Sequence, residues 1–120
     1  MKEFINNPYD AIFVVEVEEE LVGFILAKGS SLERIRHRAN LIVGVTNHWQ
    51  SKGLGTKLFQ EVESWAKKSG IHRLTLTVMT HNQLGVSLYK KMGFEIEGTL
   101  KSSMLVEGEF IDEYSMSKLI

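Results

Sequence analysis

The residues best suited to chemistry lie between Val45 and Gly55, where an apolar run gives way to a polar loop ending in two glycines one residue apart. Glycine lacks a Cβ and lets a ligand approach the backbone, and the first N–H groups of a helix have no partner within it. Lys52 and Lys57 follow with no acid before Glu61, although helices commonly carry Asp or Glu in the first turn. This pattern predicts a site for an external anion. A glycine-rich turn that only starts a helix is the alternative, and the spacing alone does not separate the two.

Two familiar phosphate loops are excluded by the sequence, and a zinc site is not expected. No GxxxxGK[ST] run occurs, which excludes a nucleotide-hydrolysing P-loop. The dinucleotide fingerprint needs a third glycine where this chain has Leu58, and it also needs a later acidic residue that is missing. We expect no metal, because the histidines do not show the spacing of a motif such as HExxH. These histidines are His37, His48, His72 and His81.

Length and composition restrict the class of protein. The 120 residues suit a single domain spanning 1–120, and 43% hydrophobic content supplies a core. The absence of cysteine excludes disulfides and thiolate nucleophiles, and a net charge of -1 gives no general attraction for nucleic acid or anionic membranes. No apolar run reaches the roughly 18 residues of a membrane span. We therefore expect a soluble cytoplasmic protein that binds neither nucleic acid nor membrane.

Hydrophobic periodicity predicts the elements that must position the glycine loop. The order is β-β-β-α-β-α-β-β, an α/β mixed sheet with a parallel, right-handed strand–helix–strand unit at its centre. The third strand is apolar enough to be buried on both faces. Helices are predicted from Gly53 to Gly70 and from Asn82 to Gly93. Strands are predicted at Ala11–Val17, Leu21–Ala27, Asn40–Thr46, Leu74–Met79, Phe94–Leu105 and Phe110–Ile120.

Two motifs occur in register along the chain. Gln50–Gly55, QSKGLG, is similar to the Q/R-x-x-G-x-G/A signature of the GNAT superfamily of N-acetyltransferases. Asn82 and then Leu88–Phe94, LYKKMGF, resemble its second block, an Asn followed by L-Y-x-K-x-G-F. The resemblance runs from about Ala11 to the C-terminus and looks closest to the ribosomal-protein alanine N-terminal acetyltransferase branch. It implies a GNAT-like, mostly antiparallel twisted sheet and acetyl-CoA as cosubstrate.

The resemblance also implies roles for individual residues. The pyrophosphate of acetyl-CoA would lie on the glycine loop, the pantetheine arm beside the strand before it, and Tyr89 would protonate the departing thiolate as general acid. On position alone, Asn82 is also explained as an N-cap and Tyr89 as a core residue. The cofactor-binding residues so implied are Val43, Val45, Gln50, Ser51, Lys52, Gly53, Leu54, Gly55, Thr56 and Asn82.

The chain departs from the family pattern in two places. Asn40 stands where many relatives carry a carboxylate that serves as general base, which leaves a water chain, His37 or an unidentified residue for that role. The chain is also short at the N-terminus and is expected to lack the usual first strand and two helices. The strand Ile12–Val17 would then lie at a sheet edge, which predicts a homodimer.

A basic segment carries a further prediction. Arg34, Arg36, His37 and Arg38 lie close together in the chain. They would either meet a phosphate of CoA or an acidic substrate, or form a solvated loop.

The leading functional hypothesis is an acetyl-CoA-dependent N-acetyltransferase that acts on a primary amine of a small molecule or a protein N-terminus by direct attack on the thioester. The alternative is a catalytically silent or truncated acyl-CoA-binding module. A structural α/β domain without a ligand would require both motifs to be coincidences.

Overall fold

A computed structural model describes residues 2–46 and 53–120 of the chain. It contains strands and helices in the order β1 (Lys2–Asn7), β2 (Asp10–Val17), β3 (Glu20–Lys28), β4 (Arg38–Val45), α1 (Leu54–Lys68), β5 (Arg73–Met79), α2 (Gln83–Lys91), β6 (Glu95–Val106) and β7 (Glu109–Leu119). None of the described helices has the length and apolar character needed to cross a bilayer.

The strands form one mixed sheet of seven strands in the order β1-β2-β3-β4-β5-β7-β6. Among the described pairs, β4 and β5 run parallel and are joined by α1, while the other neighbouring strands are antiparallel. The predicted α/β class, the mostly antiparallel sheet and the central parallel strand–helix–strand unit are therefore confirmed.

The N-terminal edge of the sheet differs from the prediction. The structure places β1 beside β2, with Phe4 opposite Ile12 and Lys2 opposite Val14. The expectations that the first strand is missing and that Ile12–Val17 forms the sheet edge are both wrong. Only the turn at residues 8–9 separates these strands, so the described chain has no helix between them. The strand escaped detection because it is short and ends in asparagines, which are rare in strands.

Both helices pack on one face of the sheet. The apolar stripe of α1 meets the inward side chains of the central strands, which alternate along each strand as a half-buried sheet requires. Helix α2 joins the same core through Tyr89, whose ring lies against that of Phe59. The buried residues of α1 are Leu58, Phe59, Val62, Trp65 and Ala66.

The opposite face of the sheet is open along β4. Ala39 and Leu41 are buried beneath the helices, whereas Asn40 and Ile42 are exposed, Ile42 by 50%. The prediction that this strand is buried on both faces is therefore wrong, because within residues 2–46 and 53–120 both helices lie on one side. Apolar content alone did not reveal which side of the strand lacks a covering element.

Candidate active site

The strands β4 and β5 separate partway along their length. Their pairing covers only Arg38 to Asn40 against Arg73 to Thr75. Beyond that point β4 stays paired with β3 as far as Val45, and β5 stays paired with β7 as far as Met79. The two strands therefore diverge and leave a cleft in the middle of the sheet.

The backbone of β4 presents hydrogen-bonding groups to this cleft. The N–H of Thr46 donates to the carbonyl of Val22 on β3, at 3.0 Å. Because backbone groups alternate between the two edges of a strand, the N–H and C=O groups of Val43 and Val45 point the opposite way. They line the cleft at the positions predicted to accompany the pantetheine arm.

Helix α1 begins at the mouth of the cleft and is capped by backbone alone. Gly53, its N-cap, has φ 83°, a left-handed conformation that side chains rarely tolerate, and it makes no side-chain cap hydrogen bond. The first turn carries no acidic residue. Helix geometry leaves the N–H groups of Leu54, Gly55 and Thr56 without intrahelical acceptors. The start of α1 is therefore suited to an anion.

Gly55 lies where the two helices come close together. A Cβ at this position would lie 2.6 Å from Cδ2 of Leu88 on α2. Its absence lets α2 come close to the first turn of α1. A larger residue here would require the Leu88 side chain to move, and the glycine also leaves the backbone exposed.

Asn82 caps α2 and also faces the site. Its Oδ1 accepts a hydrogen bond from the N–H of Gly85 at 3.0 Å, as an N-cap side chain does. The amide nitrogen lies over the same glycine, where an added Cβ would be 2.7 Å from Nδ2. With the oxygen committed to the helix, this nitrogen is the group of Asn82 that is suited to donate to a ligand.

Tyr89 combines a buried ring with an accessible hydroxyl. The residue is 8% exposed and its ring meets Phe59 edge-on, with centroids 5.6 Å apart. The hydroxyl makes no hydrogen bond to a described residue. Every fully buried polar side-chain atom in the described chain has a hydrogen-bond partner, so this hydroxyl is not fully buried. The hydroxyl must therefore reach the surface of the groove. Burial raises the pKa of Tyr89, so the phenol is protonated at neutral pH.

These elements enclose a groove of about 380 Å³. Of the predicted site residues, Val43, Val45, Gly53, Gly55, Thr56, Asn82 and Tyr89 line it. Leu54 does not line the groove, and the predicted binding residues Gln50, Ser51 and Lys52 lie outside the described residues. The predicted residues that the structure does describe therefore converge on one place, apart from Leu54.

Several lining residues escaped the sequence reasoning. They are Gly44, Leu84, Gly85, Leu88 and Lys91. Lys91 stands in the LYKKMGF segment, so its motif already contained a signal for a cation beside the groove. Leu84 is 65% exposed on the first turn of α2, which periodicity cannot distinguish from an ordinary surface leucine. The groove can thus hold an elongated ligand with an anionic group at the amide end of α1.

A second, smaller cavity lies at the foot of the cleft. It has a volume of about 210 Å³ and is lined by Lys28, Gly29, Ser30, Ile35, Arg38, Asn40 and Thr75. Within it the hydroxyl of Thr75 donates to Oδ1 of Asn40 at 3.1 Å. Of the predicted basic segment, only Arg38 lines either cavity, and His37, the alternative base, lines neither. Among the described residues no group of three or more His, Asp or Glu side chains could hold a metal ion.

Three curated acetyltransferases of Escherichia coli are similar in sequence. The L-amino acid N-acetyltransferase AaaT is 31% identical over 86% of this chain and 64% of its own length. Spermidine N(1)-acetyltransferase is 25% identical over 88% and 56%, and [ribosomal protein uS5]-alanine N-acetyltransferase is 31% identical over 79% and 49%. The chain therefore spans about half to two-thirds of the length of these relatives, which include the predicted ribosomal-protein alanine branch.

Solved structures agree with the fold. An acetyltransferase of the GNAT family from Streptococcus pneumoniae superposes with a TM-score of 0.89 at 34% identity, over 96% of this chain and 69% of that one. A putative acetyltransferase from Salmonella typhimurium, solved with its cofactor acetyl-CoA, superposes with a TM-score of 0.83 at 21% identity, over 93% and 65%. The model of the acetyltransferase (GNAT) family matches residues 1–94. The chain belongs to the GNAT family of acetyltransferases.

Proposed function

We propose that the chain is an acetyl-CoA-dependent N-acetyltransferase that transfers an acetyl group to a primary amine. The observation that carries the proposal is the convergence of three features on one groove: the amide end of α1, the cleft where β4 and β5 diverge, and the hydroxyl of Tyr89. Family membership supports the same reaction. A cytoplasmic location remains a prediction.

The groove offers complementary partners to each part of acetyl-CoA. The N–H groups of Gly55 and Thr56 would hold the pyrophosphate, since a helix start stabilises negative charge. The cleft-facing backbone of Val43 and Val45 would pair with the amides of the pantetheine arm, and Nδ2 of Asn82 would donate to that arm. Lys91 adds a positive charge at the wall of the groove.

The reaction needs few groups from the protein. The neutral amine attacks the thioester carbonyl, the C–N bond forms, the C–S bond breaks, and CoA leaves with a proton supplied by Tyr89. A backbone N–H of β4 near Val45 would stabilise the oxyanion. The proton lost by the amine passes to water, since the amide of Asn40 cannot accept it at neutral pH. The phenol is then reprotonated from solvent.

The raised pKa of Tyr89 refines its role. An aliphatic thiol titrates near about 8.5 and an ordinary tyrosine near about 10, and burial raises the tyrosine value further. Complete proton transfer from phenol to thiolate is therefore uphill. Reprotonation of the phenolate from solvent at neutral pH draws the transfer to completion, so Tyr89 still acts as the general acid.

Calorimetry with variants of the first turn of α1 tests cofactor binding. We expect wild type to bind acetyl-CoA with a micromolar Kd and Gly55→Glu to lose binding. Because Gly55→Glu also meets Leu88, Thr56→Glu serves as a second variant that places the same charge one residue further along the first turn. A first-turn Glu favours the helix, so Thr56→Glu should lose affinity without losing thermal stability. Gln60→Glu, exposed further along α1, is the control. Absence of acetyl-CoA binding by folded wild type would refute the proposal.

A second candidate function is an acyl-CoA-binding module without turnover. Asn40 in place of a carboxylate favours it. Thiol release from acetyl-CoA, measured with a panel of amines and N-terminal peptides, separates the two functions. Binding with no release above the uncatalysed rate for any acceptor would favour the module.

A further inference from the structure

The second cavity, which we call the Arg38 pocket, adjoins the point where β4 and β5 diverge. It is lined by Asn40 and Thr75, which form the last register pair of the two strands before the cleft opens. A ligand seated there therefore lies beside the opening through which the reacting carbonyl is approached. Val43 lies three positions beyond Asn40, which corresponds to about 10 Å of strand.

The pocket opens on the face of the sheet opposite the helices. Ala39 and Leu41 are buried under the helices, so Arg38 and Asn40 point to the other side. Lys28 is the register partner of Asn40 on β3 and shares that side. Helices α1 and α2 form walls of the cofactor groove on one face of the sheet. The acceptor amine therefore approaches from the opposite, open face.

The pocket carries an uncompensated positive charge. Lys28 is held by Asp10, with Nζ 3.3 Å from Oδ2, and the other oxygen of Asp10 accepts from the N–H of Gly29 at 2.9 Å. Arg38 forms no ion pair with any residue in the described ranges. None of the lining residues is acidic. A guanidinium in this setting favours a carboxylate, which it can bind in a bidentate manner.

We propose that Arg38 binds the carboxylate of the acceptor and that the acceptor is therefore an amino-carboxylate, a free amino acid or a short derivative with a free carboxylate. This inference rests on the proposed acetyl transfer. The positive pocket disfavours a polyamine, whose additional ammonium groups would meet Arg38 and Lys28. In the reaction the amine exchanges one proton for the acetyl group, CoA leaves as the thiol, and the carboxylate is unchanged.

The test compares L-amino acids with their neutral amides as acceptors in wild type, Arg38→Gln and Arg36→Gln. Arg36 is exposed, lines neither cavity and is the charge-matched control. We expect kcat/KM of wild type to favour the acids by at least tenfold over the amides. Arg38→Gln should remove that preference by lowering the value for the acids alone, and Arg36→Gln should preserve it. Equal use of acid and amide by wild type, or an equal loss for both in Arg38→Gln, would overturn the inference.

Direct binding separates this inference from the proposed function. Amino acids and their amides are titrated by NMR into the CoA-saturated protein and into its Arg38→Gln variant. Carboxylate-selective binding that needs Arg38, without any turnover, would support the pocket and refute the acetyl transfer. Acetylation of amines without carboxylate selectivity would support the transfer and refute the pocket. The inference that Arg38 binds an acceptor carboxylate is also refuted if the CoA-saturated protein neither binds nor acetylates amino acids.

Discussion

At the scale of single residues, Tyr89 offers the most direct test of the chemistry. We expect Tyr89→Phe to lower kcat by about 100-fold, the lower end of what a positioned proton donor contributes. The change keeps the ring against Phe59, so the Kd for acetyl-CoA should stay within about twofold. Steady-state kinetics and calorimetry on the same preparation give both numbers. Unchanged kcat would remove the hydroxyl from the mechanism.

The pH dependence of Tyr89 follows from the direction of its pKa shift. Burial raises the pKa above its ordinary value of about 10, so the contribution of the neutral phenol to stability is fully present below that value. It is lost as the pH rises through the raised pKa. The same ionisation removes the proton donor, so Tyr89 should cause no loss of kcat between pH 7 and about 10.

Substitution can separate the capping role of Asn82 from its proposed contact with acetyl-CoA. Asn82→Ala removes both the cap to Gly85 and the Nδ2 donor, so it should lower the free energy of unfolding by about 1 kcal/mol and also weaken acetyl-CoA binding. Asn82→Ser keeps a capping oxygen without the amide, so stability should remain near wild type while affinity falls as in Asn82→Ala. Denaturant unfolding and calorimetry measure the two quantities. Full affinity in Asn82→Ser would limit Asn82 to its structural role.

Residues needed for their own backbone conformation were easier to predict from the sequence than residues that reach the groove through tertiary packing. Gly53 and Gly55 were predictable because their type and spacing express a backbone requirement. Gly44 and Leu84 were not, since they reach the groove only because β4 leaves β5 and α2 approaches α1. That divergence depends on pairing between distant segments, which local periodicity does not record.

At the scale of elements, one ion pair links β5 to the outermost strand β6. The guanidinium of Arg73 binds both carboxylate oxygens of Glu97, at 2.5 and 3.0 Å. Glu97 lies in an irregularity of β6 between Ile96 and Gly98. The strand β7 lies between β5 and β6, so the pair ties three strands together where the ladder is interrupted.

This pair predicts an acid-dependent stability. Hydrogen bonding from Arg73, followed by that from Ser117, lowers the pKa of Glu97. A lowered pKa contributes stability that is present above the unfolded value of about 4.3 and is lost as the pH falls through the folded value. Glu97→Gln should therefore have a lower Tm than wild type at pH 7, with the difference shrinking below about pH 4. Glu95→Gln, on the same strand, is the control. A Tm difference that is constant from pH 7 to 2 would contradict the assignment.

Element boundaries were largely predictable, and the exceptions have physical reasons. The predicted strands after β1 begin and end within two residues of the observed ones. They are rich in β-branched and aromatic residues or alternate in hydrophobicity, and they end at turn residues, which are local signals. The strand β1 lacked such a signal, and the open face of β4 could not be read from an apolar run whose covering layer is a property of the assembled sheet.

At the scale of the whole molecule, the hairpin of β6 and β7 stands out from the rest of the sheet. The strand β5 pairs with β7 only from Glu113 to Leu119, so the hairpin continues past the end of its neighbour. Every residue of β6 is exposed. Leu105 and Phe110 face each other across the hairpin and are 65% and 70% exposed. Exposed apolar groups of this size are typical of an interaction surface.

The predicted homodimer therefore has a better location than the one first expected, because β1 covers the edge of β2. We expect two copies to pack their hairpins through Leu105 and Phe110. Extension of the sheet edge to edge is less favourable, since irregularities at two places along β6 interrupt a regular ladder. Such packing buries Leu105 and Phe110 between two copies of the same chain, so no partner of another sequence is needed.

Light scattering over a range of concentrations tests this arrangement. Wild type should approach twice the mass of a 13.6 kDa monomer as concentration rises, because burial of the hairpin residues favours association. Phe110→Glu should remain monomeric, since it would bury a carboxylate in the contact. Leu32→Glu changes an equally exposed leucine outside the hairpin and should associate as wild type does. A wild-type monomer at all concentrations would rule out the dimer. If Phe110→Glu still forms dimers and Leu32→Glu does not, the contact lies on the loop before β4, beside the Arg38 pocket. Dimerisation there would compete with binding of the acceptor.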